Sequence, residues 1–183
     1  CPRYCGVDRT AGGRGFCGAG RLARVARTML HTWEEPCLVG EHGAGAVFFA
    51  HCTLRCVYCQ NYEISHEGHG REMTEEELAA FLSLQAQGAA TLDLMTPTHY
   101  TPQILNALAR ARSEGLTIPV VWNTGGYETE ENIARLAGAV DIYLPDLKYN
   151  TEESGRLYSA APDYAAAAFV ALHAMVEQVG ALQ

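Results

Sequence analysis

No run of apolar residues in this 183-residue chain approaches the ~18 that a membrane-spanning helix needs. The first residues, CPRYCGVDRT, lack the apolar core of an export signal. Basic side chains are in deficit: 13 Lys and Arg against 21 Asp and Glu give a net charge of −8 and a pI near 5.3. That balance argues against a surface dedicated to nucleic acid or to an anionic membrane. An even cysteine count is missing too. Seven cysteines without an export signal fit metal-bound thiols in a reducing cytoplasm better than a disulfide framework. What is present, 48% hydrophobic and 19% charged residues, describes an ordinary globular domain long enough to bury a core.

Residues 1–45 are rich in Gly, Arg and Cys and read as an irregular segment with one short strand near Ala23–Leu30. From residue 46 to 183 a regular rhythm sets in. AVFFA (46–50), TLDLM (91–95), IPVVW (118–122) and VDIYL (140–144) have strand character. Helices alternate with them. Thr74 and Glu77 form a capping box and Gly88 closes that helix. Pro102 opens the next, which Gly115 ends. A short helix spans Thr129–Ala137, and a last one runs from about Asp163 to Val179. Strand, loop and helix repeated four times predict an α/β fold, a partial parallel (β/α) barrel of about four units. In such folds chemistry sits at the C-terminal ends of the strands, here after residues 50, 95, 122 and 144.

The first of those loops holds Cys52, Cys56 and Cys59, spaced C-x3-C-x2-C. Three close thiolates can ligate three irons of one cubane cluster and leave the fourth iron open to a small molecule. A structural zinc site would need a fourth ligand, His51 or a distant cysteine. Gln60 and Asn61, just beyond, are candidate donors to cluster sulfurs. After the second strand come Thr96, Thr98 and His99. After the third come Asn123 and Thr124, then Gly125 and Gly126, whose bare backbone allows close approach to a ligand. After the fourth, Asp146 and Lys148 are two apart on an extended segment and share a side.

With Tyr58 before the last cysteine, the pattern C-x3-C-x-aromatic-C resembles the signature of radical S-adenosylmethionine (SAM) enzymes. Asp146-Leu147-Lys148 resembles an element of one branch, the activating enzymes of glycyl-radical enzymes such as pyruvate formate-lyase, and the CPRYCGV start and the CQNYEIS run are most similar to uncharacterised relatives within it. The resemblance implies a [4Fe–4S] cluster on Cys52, Cys56 and Cys59 whose open iron binds SAM. One-electron reduction then yields a 5′-deoxyadenosyl radical that takes hydrogen from a substrate. It implies SAM contacts from Tyr58, Thr96, Thr98, His99, Asn123, Thr124, Asp146 and Lys148. It also implies a flavodoxin- or ferredoxin-type electron donor and points to a glycyl residue of a partner protein as substrate, with a small metabolite, a nucleotide or another protein side chain as alternatives; the charge balance, not the resemblance, argues against nucleic acid and membrane. Two departures stand out. The branch's acidic groups after strands two and three are absent, and four units replace about six.

Cys1, Cys5 and Cys17 are candidates for a second metal site, with Cys37, His31 or His42 as a fourth ligand. The chain starts without an initiator Met and stops just after a helix, so it reads as part of a longer protein. The rival from another class is a non-catalytic protein, either an iron–sulfur electron carrier or a zinc module.

Overall fold

The computed structural model describes residues 1–79 and 81–180. Six strands form one sheet: β1 (Ala23–His31), β2 (Ala44–Phe49), β3 (Arg71–Met73), β4 (Leu92–Met95), β5 (Val120–Thr124) and β6 (Ile142–Pro145), in the order β3-β1-β2-β4-β5-β6. The last four of that order are parallel neighbours, and they are the four strands expected from the sequence. β1 runs antiparallel to both β2 and β3. The α/β class and the parallel run therefore hold, while the strand near residues 23–30 joins the same sheet rather than an irregular arm.

The helices are α1 (Pro36–Val39), α2 (Tyr62–Ser65), α3 (Glu75–Leu78), α4 (Phe81–Ala86), α5 (Thr101–Ser113), α6 (Glu130–Arg135), α7 (Glu152–Ser159) and α8 (Tyr164–Val179), with a 3₁₀ turn at Thr98–Tyr100. Local chemistry explains their ends. The Thr74 hydroxyl accepts from Glu77 N while Glu77 Oε2 takes the Thr74 N–H, the expected capping box. Pro102 lies in the first turn of α5, and Gly115, at φ 111°, lets the chain leave it. Thr129 and Thr151 cap α6 and α7 through their hydroxyls.

Alternate residues divide the sheet into two faces. Val47, Phe49, Leu92, Leu94, Val120 and Trp122 are buried in one core with Ile104, Ala107, Leu108 and Ala111 of α5. Gly45 lets α4 come close: a Cβ there would fall 2.9 Å from the Leu84 Cβ. The register aligns Phe48 with Met95 and Met95 with Asn123 on the other face. Among the described residues no helix is long and apolar enough to cross a membrane.

Candidate functional site

All four parallel strands end at one cavity of about 400 Å³, within the size range of small-ligand sites. One wall is the loop after β2, with Cys52, Cys56, Tyr58 and Cys59. The facing wall is Met95 and Thr96 at the end of β4, Asn123, Thr124 and Gly125 at the end of β5, and Asp146 and Lys148 just beyond β6. The strand-end loops named from sequence thus meet in space.

The cysteine loop is held mostly through its backbone. His51 takes a left-handed φ of 71°, and its N–H donates to Ile64 O at 2.9 Å. Its ring lies against Gly18 and Gly68. A Cβ on Gly68 would fall 2.4 Å from the ring, so only glycine admits the histidine there. Arg55 N and Val57 N donate to the carbonyls of Ser159 and Tyr158 at the end of α7. Each sulfur has a polar neighbour. Leu54 N donates to Cys52 Sγ at 3.4 Å, Ser159 Oγ donates to Cys56 Sγ at 2.8 Å, and Ser65 Oγ lies 3.1 Å from Cys59 Sγ. Gln60 and Asn61 sit on the cavity rim, but the donors to sulfur come from those three residues instead. Burial pushes the Cys52 thiol up to about 11, so the free thiol keeps its proton and ligation has to release it.

On the facing wall Lys148 pairs with Asp146, as their spacing suggested. The Tyr164 hydroxyl, unforeseen from sequence, accepts from Lys148 N at 2.9 Å and lies 2.8 and 3.0 Å from the carbonyls of Gly125 and Asp146. It ties the β5 and β6 loops together, and Gly126, at φ 74°, leaves it room. Asn123 Nδ2 reaches Asp93 Oδ2 at 3.4 Å. Asp93 is fully buried on β4, and burial, reinforced by Glu34, holds its carboxyl well above the usual range.

The structure does not bring Thr98 or His99 to the cavity wall. Both follow β4 into the 3₁₀ turn and point into the protein. Thr98 Oγ1 donates to Glu128 at 2.6 Å, and the His99 Nε2–H meets Ala50 O at 2.8 Å, bracing the entry to the cysteine loop. Glu128, just beyond the end of β5, does not reach the cavity. It is fully buried behind the site and also accepts from Trp122 Nε1 at 3.0 Å, Thr124 Oγ1 at 3.0 Å and Asn132 Nδ2 at 2.9 Å. Burial raises its pKa, and these four donors draw it back.

The second metal site is not supported. Cys1 and Cys5 border a separate shallow pocket, while Cys17 is buried beside Arg9. Cys37 is exposed on α1, and His31 pairs with Ala44 at the start of β2. Among the described residues no three His, Cys, Asp or Glu side chains converge on one point as ligands of a single ion, the main triad included. Cys52, Cys56 and Cys59 instead line a shared space, an arrangement suited to ligands that grip separate corners of a cluster. The soft thiol set, the donors at each sulfur and the room beyond them fit a three-cysteine iron–sulfur cluster.

Comparison with known proteins agrees. The chain is 31% identical over 171 residues to the uncharacterized protein MJ0674 of Methanocaldococcus jannaschii, an alignment covering 90% of this chain and 49% of that protein. It is 26% identical over 175 residues to the uncharacterized protein MJ0808 of the same organism, covering 83% of this chain and 49% of that one. The chain spans about half the length of the curated relatives it matches. The family model of the Radical SAM superfamily matches residues 46–176, from β2 well into α8. With a cysteine loop at the end of the first parallel strand and three more strand ends facing it, the chain belongs to the radical SAM superfamily.

Proposed function

We propose that this chain carries the cluster-binding and SAM-binding part of a radical SAM enzyme, with Cys52, Cys56 and Cys59 as cluster ligands. The observation that carries this reading is the single cavity with three thiols on one wall and Thr96, Asn123, Thr124, Asp146 and Lys148 on the other. When bound, the cluster and SAM supply reductive carbon–sulfur cleavage and a carbon radical that removes hydrogen from a substrate.

The chain's own residues have narrower tasks. The Lys148 ammonium faces the cavity as a counter-charge for a carboxylate, and Asp146 holds it there. Thr96 and Asn123 offer neutral hydrogen-bonding groups that orient a ligand without adding charge, whereas the Thr124 hydroxyl is committed to Glu128 behind the wall. Leu54, Phe48 and Met95 keep part of the lining apolar and limit water. An electron carrier would need none of the polar groups opposite the thiols, which favours the enzyme reading. Resemblance to the glycyl-radical activating branch through the DLK element points to a glycyl residue of a partner protein as substrate, the one-electron chemistry calls for a flavodoxin- or ferredoxin-type donor, and the odd count of free thiols suits the reducing cytoplasm.

The test is to reconstitute the chain with iron and sulfide without oxygen, reduce it, add SAM and assay 5′-deoxyadenosine. Product that disappears in Cys56→Ala supports the reading. A four-iron cluster that binds no SAM and yields no product overturns it in favour of an electron carrier.

A further inference from the structure

Three hydroxyls stand in line between the cavity and the sulfur of Cys56. Tyr58 OH lies 2.5 Å from Tyr149 OH, Tyr149 OH lies 2.7 Å from Ser159 Oγ, and Ser159 Oγ lies 2.8 Å from Cys56 Sγ. A hydroxyl has one proton to donate, and a ligating thiolate has none. Once Cys56 acts as a ligand, Ser159 must donate to sulfur and accept from Tyr149. Tyr149 in turn must accept from Tyr58. All three O–H dipoles then point toward Cys56.

The surroundings keep this order. Ser159 is fully buried. Its backbone is fixed independently, because its carbonyl accepts from Arg55 N at 3.0 Å and from the Arg3 guanidinium. The Tyr149 ring packs edge-on against Tyr58 and Tyr164 and stacks with Tyr158. Tyr58 is about half exposed and borders the cavity.

We propose that Tyr58, Tyr149 and Ser159 form a one-directional hydroxyl relay that sets the electron density on the Cys56 sulfur, and through it the reduction potential of the cluster this sulfur holds. The inference rests on Cys56 being a cluster ligand. A hydrogen bond to a ligating sulfur stabilises the reduced, more negative cluster more than the oxidised one, and so raises the potential. A donor that is itself polarised by two more hydroxyls in sequence donates more strongly than a lone serine. The three are positioning residues, and none needs to touch a reacting atom.

The experiment is a redox titration of the anaerobically reconstituted full chain without SAM, followed by electron paramagnetic resonance. Ser159→Ala is expected to lower the midpoint potential with iron content unchanged. Ser159→Thr is expected to restore it. Tyr149→Phe should shift it in the same direction by less, and Tyr58→Phe by less again. Should Ser159→Ala fail to load a cluster, Tyr149→Phe carries the test, since phenylalanine keeps the ring packing. Midpoints that match the wild type in either loaded variant overturn the relay while leaving the enzyme reading intact. A wild-type chain that takes up no cluster overturns both.

Discussion

The Arg3 guanidinium fastens residue 3 to Thr53, its Nε donating to the Thr53 carbonyl at 2.8 Å in the middle of the cysteine loop. Its other nitrogens reach the carbonyls of Ala160 at 2.5 Å and Ser159 at 3.4 Å, and its plane lies 3.7 Å from the Phe16 ring centroid. One side chain therefore links the N-terminal segment, the cysteine loop and the end of α7. Arg3→Ala is expected to cost about 1–3 kcal/mol in urea denaturation, the range for losing charge-assisted hydrogen bonds, and to speed proteolysis before residue 20. Arg3→Lys should recover little, because an ammonium lacks the planar fork and the stacking face.

Glu128→Ala is expected to destabilise by roughly 3–5 kcal/mol, since several buried donors are left unpaired at about 1–3 kcal/mol each with partial relief from water. Glu128→Gln should cost clearly less. Its carbonyl can still accept from Thr98, Trp122 and Thr124, while the Asn132 amide turns to offer oxygen to the new NH₂ group. Equal losses for the two variants in thermal unfolding would contradict this account.

His99 gives a pH dependence with a definite sign. Burial lowers its pKa from 6.5 to about 3. Below pH 6.5 the unfolded chain binds a proton that the folded one refuses, so this contribution is complete above 6.5 and falls away on acidification toward 3. Between pH 6.5 and 5 the loss amounts to about 2 kcal/mol. Urea titrations across that interval should show a steeper decline for the wild type than for His99→Gln.

Lys148→Ala removes the cation facing the cavity. SAM affinity measured by calorimetry on the reconstituted chain should fall by roughly tenfold or more, the equivalent of one charge-assisted hydrogen bond. Iron content should stay the same. A drop in iron instead of SAM affinity would place Lys148 in the cysteine loop's support.

Replacing Cys52, Cys56 and Cys59 together by Ala should abolish all bound iron and zinc, because Cys1, Cys5 and Cys17 are not gathered in the fold. Stoichiometric metal remaining in that variant, measured by atomic emission, would restore the second site.

Much of this was legible residue by residue. The capping box at Thr74, Pro102 and the four apolar runs act locally, and the four strand ends follow from the alternation they create. Strand β1 was also legible, near Ala23–Leu30, but β3 was not. β3 has three residues, two of them exposed, and exists because Arg71–Met73 pairs with β1. The helix α7 was missed because EESGRLYS contains a glycine and little apolar periodicity. Gly155 is there for space, as a Cβ would fall 2.5 Å from Ala161 O. Losing α7 also hid Ser159, and with it the donor to Cys56. Glu128 escaped notice because Thr98 lies 30 residues upstream of it. Periodicity cannot reveal a hydrogen-bond network drawn from three separate elements.

The clasp from Arg3 to Ala160 joins residues 157 apart in the chain, and the bond from Ser159 to Cys56 joins residues 103 apart. The cysteine loop as it stands here therefore cannot be finished until residue 160 has emerged from the ribosome. Cys52 and Cys59 meet their polar partners within a few residues, but Cys56 waits about a hundred residues of synthesis for Ser159, so the loop is expected to receive iron and sulfide in its finished form only after this stretch is translated.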